Sequence, residues 1–370
     1  MRAAPKAAPR GEAQAEAKTG GTQGRFSFDR KYLPLLIAVS LFLLLYAYGI
    51  VTYRGFSSPQ VFLNLLIDNA FLLITSIGMT FVILSGGIDL SVGAVIAFTT
   101  VSSAWMLESL HFSPFLVIPL VLLFGVALGA LMGTVIHYFK VQPFIVTLAG
   151  MFFARGMCFV ISTNAITIND PVYRWLALTR IPLWGKTFIS INVLVVLVVL
   201  IVALYLAHLT RFGRSVYAIG GSEQSALLMG VPVARTKILV YTLNGFCSAL
   251  AGVVFSVYML SGHGLYTSGL EMDAIASVVI GGTLLTGGVG YVIGTVFGVL
   301  IQGLIQTIIM FQGTLSSWWT KIVVGLLTLL FIGIQGIIVS SRRRQRASAR
   351  SRSAAAAPVA PAGEPAASSM

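Results

Sequence analysis

Asp89 lies in Thr80-Phe-Val-Ile-Leu-Ser-Gly-Gly-Ile-Asp-Leu-Ser-Val-Gly93, where an apolar run enters paired glycines, an acid and a serine before apolar residues resume. Adjacent glycines break a helix, and Asp89 and Ser91 are suited to cap the start of the next one. A carboxylate at membrane depth is costly, so it must face protein or water and find donors in freed backbone N–H groups. Two readings of Gly86, Gly87, Asp89 and Ser91 stay open: a tight capped turn, or a direct part in gating.

The theme returns at Val278-Val-Ile-Gly-Gly-Thr-Leu-Leu-Thr-Gly-Gly-Val-Gly290, with Gly281 and Gly282 at the break. Glycine-interrupted segments at comparable places in two halves hint at an internal repeat, although close packing between helices explains such glycines equally. Arg155 interrupts another apolar run about eleven residues, or roughly 16 Å, from its start. An unpaired arginine there costs on the order of 3 kcal/mol on insertion scales, so Arg155 should face the bundle interior or a polar cavity. A carbonyl cluster or an acid would serve it as well as a substrate pathway. Glu271 and Asp273 read as caps of the helix they begin.

The segment 209–237 is polar and basic, with Arg211, Arg214, Arg235 and Lys237. In it Gly220 and Gly221 make a flexible entry, Ser222 is an N-cap, and Glu223 favours the positive end of a helix. Ala226, Leu227 and Leu228 form an apolar side, and Gly230 and Pro232 end the turn. The result is a short helix at 222–229 with nothing of its own to pack against. Such a helix can lie on a membrane, cover the bundle, or fit a groove on a partner.

Helices in a membrane must position these residues. The 370 residues are 57% hydrophobic and 9% charged with mean hydropathy +0.92, which cannot give a soluble globule a charged surface. Continuous apolar stretches exclude the alternating strands of a membrane β-barrel. Hydropathy predicts an all-α bundle of about ten spans, at 33–50, 61–84, 90–110, 115–138, 144–163, 188–208, 238–260, 273–285, 291–311 and 322–339. The first reads as a retained helix and not a cleaved signal; the eighth, interrupted by Gly281 and Gly282, reads equally as a short or re-entrant span, which leaves nine to eleven spans in all.

With the N-terminus in the cytoplasm, these spans put 18 of the 24 Lys and Arg residues inside; Arg54, Arg174, Arg180, Lys186 and Lys321 fall outside and Arg155 within a helix. That bias predicts both termini in the cytoplasm. The membrane-spanning core 32–340 is flanked by tails 1–31 and 341–370, too low in complexity to fold. The arginines from Arg342 to Arg352 read as an orientation signal beside anionic headgroups. Cys158 and Cys247 sit in apolar runs, where packing is their expected role. Neither a nucleic-acid motif nor a metal or catalytic constellation occurs, so no catalytic residue, metal or cofactor is assigned.

On these residues the chain resembles the membrane-spanning permease subunit of bacterial ABC sugar importers, in the branch of the ribose, xylose and galactofuranose systems. The resemblance rests on Gly86-Gly-Ile-Asp-Leu-Ser-Val-Gly93, Val141-Gln-Pro-Phe-Ile-Val-Thr-Leu148 with Arg155 after it, the loop from Arg211 to Lys237, and Gly281-Gly-Thr-Leu-Leu-Thr-Gly-Gly288. Gly245-Phe-Cys-Ser-Ala-Leu-Ala-Gly-Val-Val-Phe-Ser256 and Gly313-Thr-Leu-Ser-Ser-Trp-Trp319 look most like the galactofuranose permease.

The resemblance implies a multi-pass protein of the bacterial inner membrane. Cytoplasmic ATPase subunits would bind the ATP, a periplasmic protein would deliver a monosaccharide, and a second permease, identical or different, would complete the pathway. It makes 222–229 the coupling helix, with Gly220, Glu223, Ala226 and Gly230 on the family pattern and Arg214, Gly221 and Ser222 beside them as coupling residues. It assigns Gly86, Gly87, Asp89, Ser91, Arg155, Gly281 and Gly282 to gating or the pathway. No phosphate-cradling Gly-x-x-x-x-Gly-Lys-Ser/Thr loop occurs, so the chain should not hydrolyse ATP itself. Polar residues within apolar helices, Asn69, Thr75, Ser76, Asn244 and Ser248, are candidates for the pathway lining. The alternatives are an ion-coupled secondary transporter, which also uses broken helices, and an intramembrane enzyme, for which no nucleophile and base are paired.

Overall fold

A computed structural model of the chain describes residues 33–333 apart from Trp184, Leu315 and Ser317. The tails 1–31 and 341–370, with their arginine run, and the end of the expected span 322–339 lie outside the described residues. In chain order the helices are α1 (Leu33–Thr52), α2 (Pro59–Asp68), α3 (Ala70–Leu84), α4 (Val92–Glu108), α5 (Pro114–Tyr138), α6 (Pro143–Ile161) and α7 (Pro171–Leu178). They continue as α8 (Ile191–Leu209), α9 (Arg211–Gly221), α10 (Glu223–Leu228), α11 (Val233–Met259), α12 (Leu270–Ile280), α13 (Val292–Gln312) and α14 (Trp318–Gly333). Two small antiparallel ladders join loops: β1 (Ile166–Thr167) with β4 (Ser261–Gly262), and β2 (Arg180–Pro182) with β3 (Phe188–Ser190).

Among the described residues six helices are long and apolar enough to cross a membrane: α1, α5, α6, α8, α11 and α13. The eighth span is interrupted at Gly281 and Gly282 as expected, since α12 ends at Ile280, whereas two other expectations are corrected. The single helix expected at 61–84 is a pair, α2 and α3, bent by 59°. The bend is at Asn69, whose Nδ2 donates to the Leu65 carbonyl at 2.9 Å. Gly303 of α13 leaves room for that side chain. α12 has 11 residues and begins before Asp273, so Glu271 and Asp273 sit inside its first turn. α4 and α14 are the other shorter apolar helices.

Helix starts follow local chemistry. Proline occupies the first turn of α2, α5, α6 and α7, where its missing N–H costs nothing. Before α7, Asp170 Oδ1 accepts the amides of Val172 and Tyr173 at 2.9 and 3.1 Å.

The centre of the bundle is α11 with α3, α4 and α5. Gly125, Gly129 and Gly133 recur every four residues on one face of α5. A Cβ on any of them would meet α11, at Gly245 and Ala249, at Tyr241, or at Ile238. Small residues at this spacing let two backbones approach, which is what drives helix association where lipid removes the hydrophobic incentive. α3 is buried almost throughout. By contrast α6, α8 and α14 expose Phe152, Val198, Ile201 and Leu326, as expected of faces turned to lipid. Cys158 and Cys247 are free and buried.

Candidate functional site

Three segments remote in sequence meet through backbone alone. The turn after α3 carries Gly86 at φ +81°, and the turn before α13 carries Gly287 and Gly288 at φ +83° and +74°, left-handed values that glycine alone adopts freely. The Gly288 amide donates to the Leu84 carbonyl at 2.9 Å. Gly287 abuts Gly86, and Gly288 abuts Gly221 at the end of α9. A Cβ on Gly220 would strike the Leu84 carbonyl and the Gly288 amide. The Tyr217 hydroxyl adds a bond to the Gly290 carbonyl at 2.9 Å, and burial pushes that hydroxyl up to about 12, so it remains a donor at any physiological pH.

This overturns the flexible entry expected at Gly220 and Gly221. They form the last turn of α9, which continues until the Ser222 amide bonds the Ala218 carbonyl. The Ser222 side chain then caps α10, accepting the Ser225 amide at 3.3 Å. Glu223 forms an ion pair with Lys237 of α11 at 2.7 Å. Nor is α10 without packing of its own, because Ala226 is buried with Ile219 of α9 and Val233 of α11. Gly230 turns the chain at φ +76°. Arg214 is exposed on α9, and Leu227, Leu228 and Met229 are exposed at the tip of α10, Leu228 by 89%.

Asp89 is buried between α3 and α4. Its Oδ1 accepts the Ser91 amide at 2.8 Å and the Ser91 hydroxyl at 2.6 Å, and its Oδ2 accepts Asn244 Nδ2 at 2.7 Å. Ser91 stands at the N-cap of α4 but its side chain makes no cap bond; its hydroxyl donates to Asp89 instead. Asn244 lies in the middle of α11, and a Cβ on Gly87 would meet the Tyr241 hydroxyl one turn earlier. The Gly86–Asp89 turn is thus tied to α11 by side chains and to the α9 end by backbone. Gly281 and Gly282 stand apart from the junction: Gly281 packs on Gly294 of α13, and Gly282, at φ +92°, on Pro34 of α1.

Arg155 finds the carbonyl cluster. Its Nη1 donates to the carbonyls of Gly264 and Tyr266 at 2.5 and 2.9 Å, in the segment between α11 and α12. The same segment holds Leu260 and Thr267 at φ +49° and +56°. A β-branched residue there stores on the order of 1–3 kcal/mol. Asp273, expected as a cap, forms an ion pair with Lys321 of α14 at 2.5 Å.

Of the polar residues proposed to line a pathway, Asn69, Thr75 and Ser248 donate to carbonyls one turn back. Ser76 Oγ and Asn244 Oδ1 lack a partner among the described residues. The sequence motifs did not single out Tyr241, Lys237 or Thr267, nor the part of Gly287 and Gly288 in joining the turns after α3 and before α13. A second Gly-Gly after the first was the visible signal for Gly287 and Gly288; the others depend on long-range contacts that no local pattern reveals.

Residues 61–332 match the family described as branched-chain amino acid transport system / permease component. The chain belongs to that permease family. It is 52% identical over 317 residues to the inner membrane ABC transporter permease protein YjfF of Escherichia coli strain K12, covering 85% of this chain and 96% of that protein. It is 39% identical to the fructose import permease protein FruG of Bifidobacterium longum, covering 85% and 94%. It is 34% identical to the ribose import permease protein RbsC of Escherichia coli strain K12, covering 85% and 97%. No solved structure matches it. This permease is a multi-pass helical membrane protein and a transport subunit, not an enzyme.

Proposed function

We propose that this permease forms the translocation pathway of an ATP-driven monosaccharide importer, with α9 and α10 as the element that receives motion from a separate ATPase. The observation that carries the reading is the glycine junction: the helix pair ending in the exposed Leu227–Leu228–Met229 tip abuts, without intervening side chains, the turns that end α3 and precede α13. Motion of α9 cannot be absorbed there by side-chain rearrangement and passes to both turns.

In this reading the α9–α10 end faces the cytoplasm, as do both termini, in a bacterial inner membrane. The charge bias supports that orientation. Ten passes follow if α2 and α3 count as one and α4, α12 and α14 each count as shortened passes. A periplasmic binding protein delivers the sugar at the opposite end, and a second permease, the same or different, completes the pathway. A monosaccharide is favoured over a branched-chain amino acid by the fructose and ribose permeases among the relatives. Galactofuranose is the specific sugar proposed, from the 245–256 and 313–319 motifs. The ion-coupled carrier is not favoured, because the relative of 52% identity is a permease of an ABC transporter.

The test is uptake by the complete complex in liposomes, with D-galactofuranose, D-ribose, D-fructose and L-leucine as labelled probes. ATP-dependent accumulation of a sugar but not of leucine is expected. Accumulation of leucine alone would overturn the substrate reading.

A further inference from the structure

Glu271 is only 9% exposed and its Oε2 atom has no hydrogen-bond partner among the described residues. A Cβ on Gly93 would meet that atom, so the carboxylate lies against the first turn of α4. The segment leading to it turns back into the bundle. Gly262 packs on the Thr100 carbonyl, whereas Thr267 Oγ1 donates to the Gly93 carbonyl at 2.7 Å. Between those two points the segment descends about 10 Å along α4. Left-handed residues stand near each end, Leu260 and Thr267, and Arg155 holds the middle by two carbonyls.

Tyr266, whose carbonyl holds Arg155, is followed by Thr267, whose carbonyl lies with Glu271 Oε2 against Gly93, yet among the described residues Arg155 and Glu271 form no ion pair. In this state Arg155 is satisfied and the Glu271 oxygen is not, and withdrawal of the segment would reverse the need. A buried carboxylate oxygen without a donor is unfavourable, and withdrawing the segment would strip Arg155 of its acceptors in a medium of low dielectric constant. One exchange relieves both.

We infer that Glu271 is a positioning residue and the second partner of Arg155. When 261–269 withdraws to open this end of the pathway, Arg155 leaves the Gly264 and Tyr266 carbonyls and pairs with the Glu271 carboxylate. Each state then keeps one charge-assisted set of hydrogen bonds, which is what a bistable element needs. The inference rests on the pathway reading above.

The test places a cysteine at Thr267 in the complete complex and follows its labelling by a membrane-impermeant maleimide, with and without ADP and vanadate to trap the nucleotide-bound state. Cys158 and Cys247 are buried, so background labelling is low. Labelling should rise on trapping. In that background Arg155→Gln should raise labelling before trapping, and Glu271→Gln should cut the trapping-dependent rise by about tenfold, with recovery in Glu271→Asp. A Glu271→Gln protein that opens without nucleotide, or that keeps the full rise, would overturn the exchange. The readout needs no sugar: labelling that rises on trapping while every probe sugar stays outside contradicts the substrate reading and leaves the exchange standing, whereas labelling that never rises contradicts the exchange.

Discussion

The amide of Gly288 donates to the carbonyl of Leu84 at 2.9 Å, so the turn before α13 hangs from the last turn of α3. Gly220 closes on that bond from α9, where a Cβ would meet both of its atoms. Since the obstacles are backbone, they cannot step aside as a flexible side chain would. Gly220→Ala should therefore lower stability by about 1–3 kcal/mol, the usual cost of overpacking. Thermal unfolding of the detergent-solubilised complex measures this, and Gly221→Ala, whose Cβ would meet open space, is the control. Equal melting of the two variants would show that the junction tolerates separation.

The buried Asp89 carboxylate relies on Asn244 for the only side-chain donor its Oδ2 has among the described residues. Asn244→Ala leaves that oxygen unpaired and should cost about 1–3 kcal/mol. Asn244→Asp should cost more, because it sets a second acid beside the first. Ranking both variants against the parent by thermal unfolding checks the order, and a milder effect for Asn244→Asp would contradict the assignment.

Glu223 and Lys237 make an ion pair that is largely exposed on the Glu223 side. Such pairs contribute about 0–1 kcal/mol, so Glu223→Gln should barely move the melting temperature. The value of the pair is in fixing α10 to α11. Glu223→Lys combined with Lys237→Glu should recover more uptake than either change alone, and failure of the double variant to do so would remove Lys237 from the coupling element.

Leu228 is exposed at the tip of α10 and contributes little to this chain's own core. If it seats in a groove of the ATPase, Leu228→Ala should weaken association by about 2 kcal/mol or more, the range of an interface hot spot, with the melting temperature of the isolated permease unchanged. Co-purification of the ATPase at limiting concentration reads this out. Undiminished recovery would place the contact elsewhere.

Gly129 lets α5 and α11 meet backbone to backbone, since a Cβ there would strike the Tyr241 carbonyl. Gly129→Leu should force the helices apart and prevent accumulation of folded protein, visible as a loss of the monodisperse peak in gel filtration. Retention of that peak would show that the small-residue face is incidental.

Much of this architecture was legible locally. Prolines after Ser58, Ser113 and Asp170 stand at helix starts, a local signal that the hydropathy spans beginning at 61 and 115 passed over, and α7 was not expected at all. Ser222 was legible as a cap, and Gly86 and Gly87 as a break, because capping and glycine geometry act within one turn. The Glu223–Lys237 pair, the tie from Asp89 to Asn244, and the descent of 261–269 along α4 were not legible, because each depends on which helices become neighbours. Hydropathy also overstated uniformity. It averages over a window, and so passed across the bend at Asn69 and extended the eighth span beyond Ile280, where α12 ends.

In the proposed function this permease moves solute only when a separate ATPase drives α9 and α10. The direct measurement is accumulation of labelled monosaccharide in liposomes holding either the complete complex with ATP or this chain alone with an imposed proton gradient. Uphill accumulation by the complex, abolished without ATP, together with none by the chain alone, is the expected result. Uphill accumulation by the chain alone would contradict it.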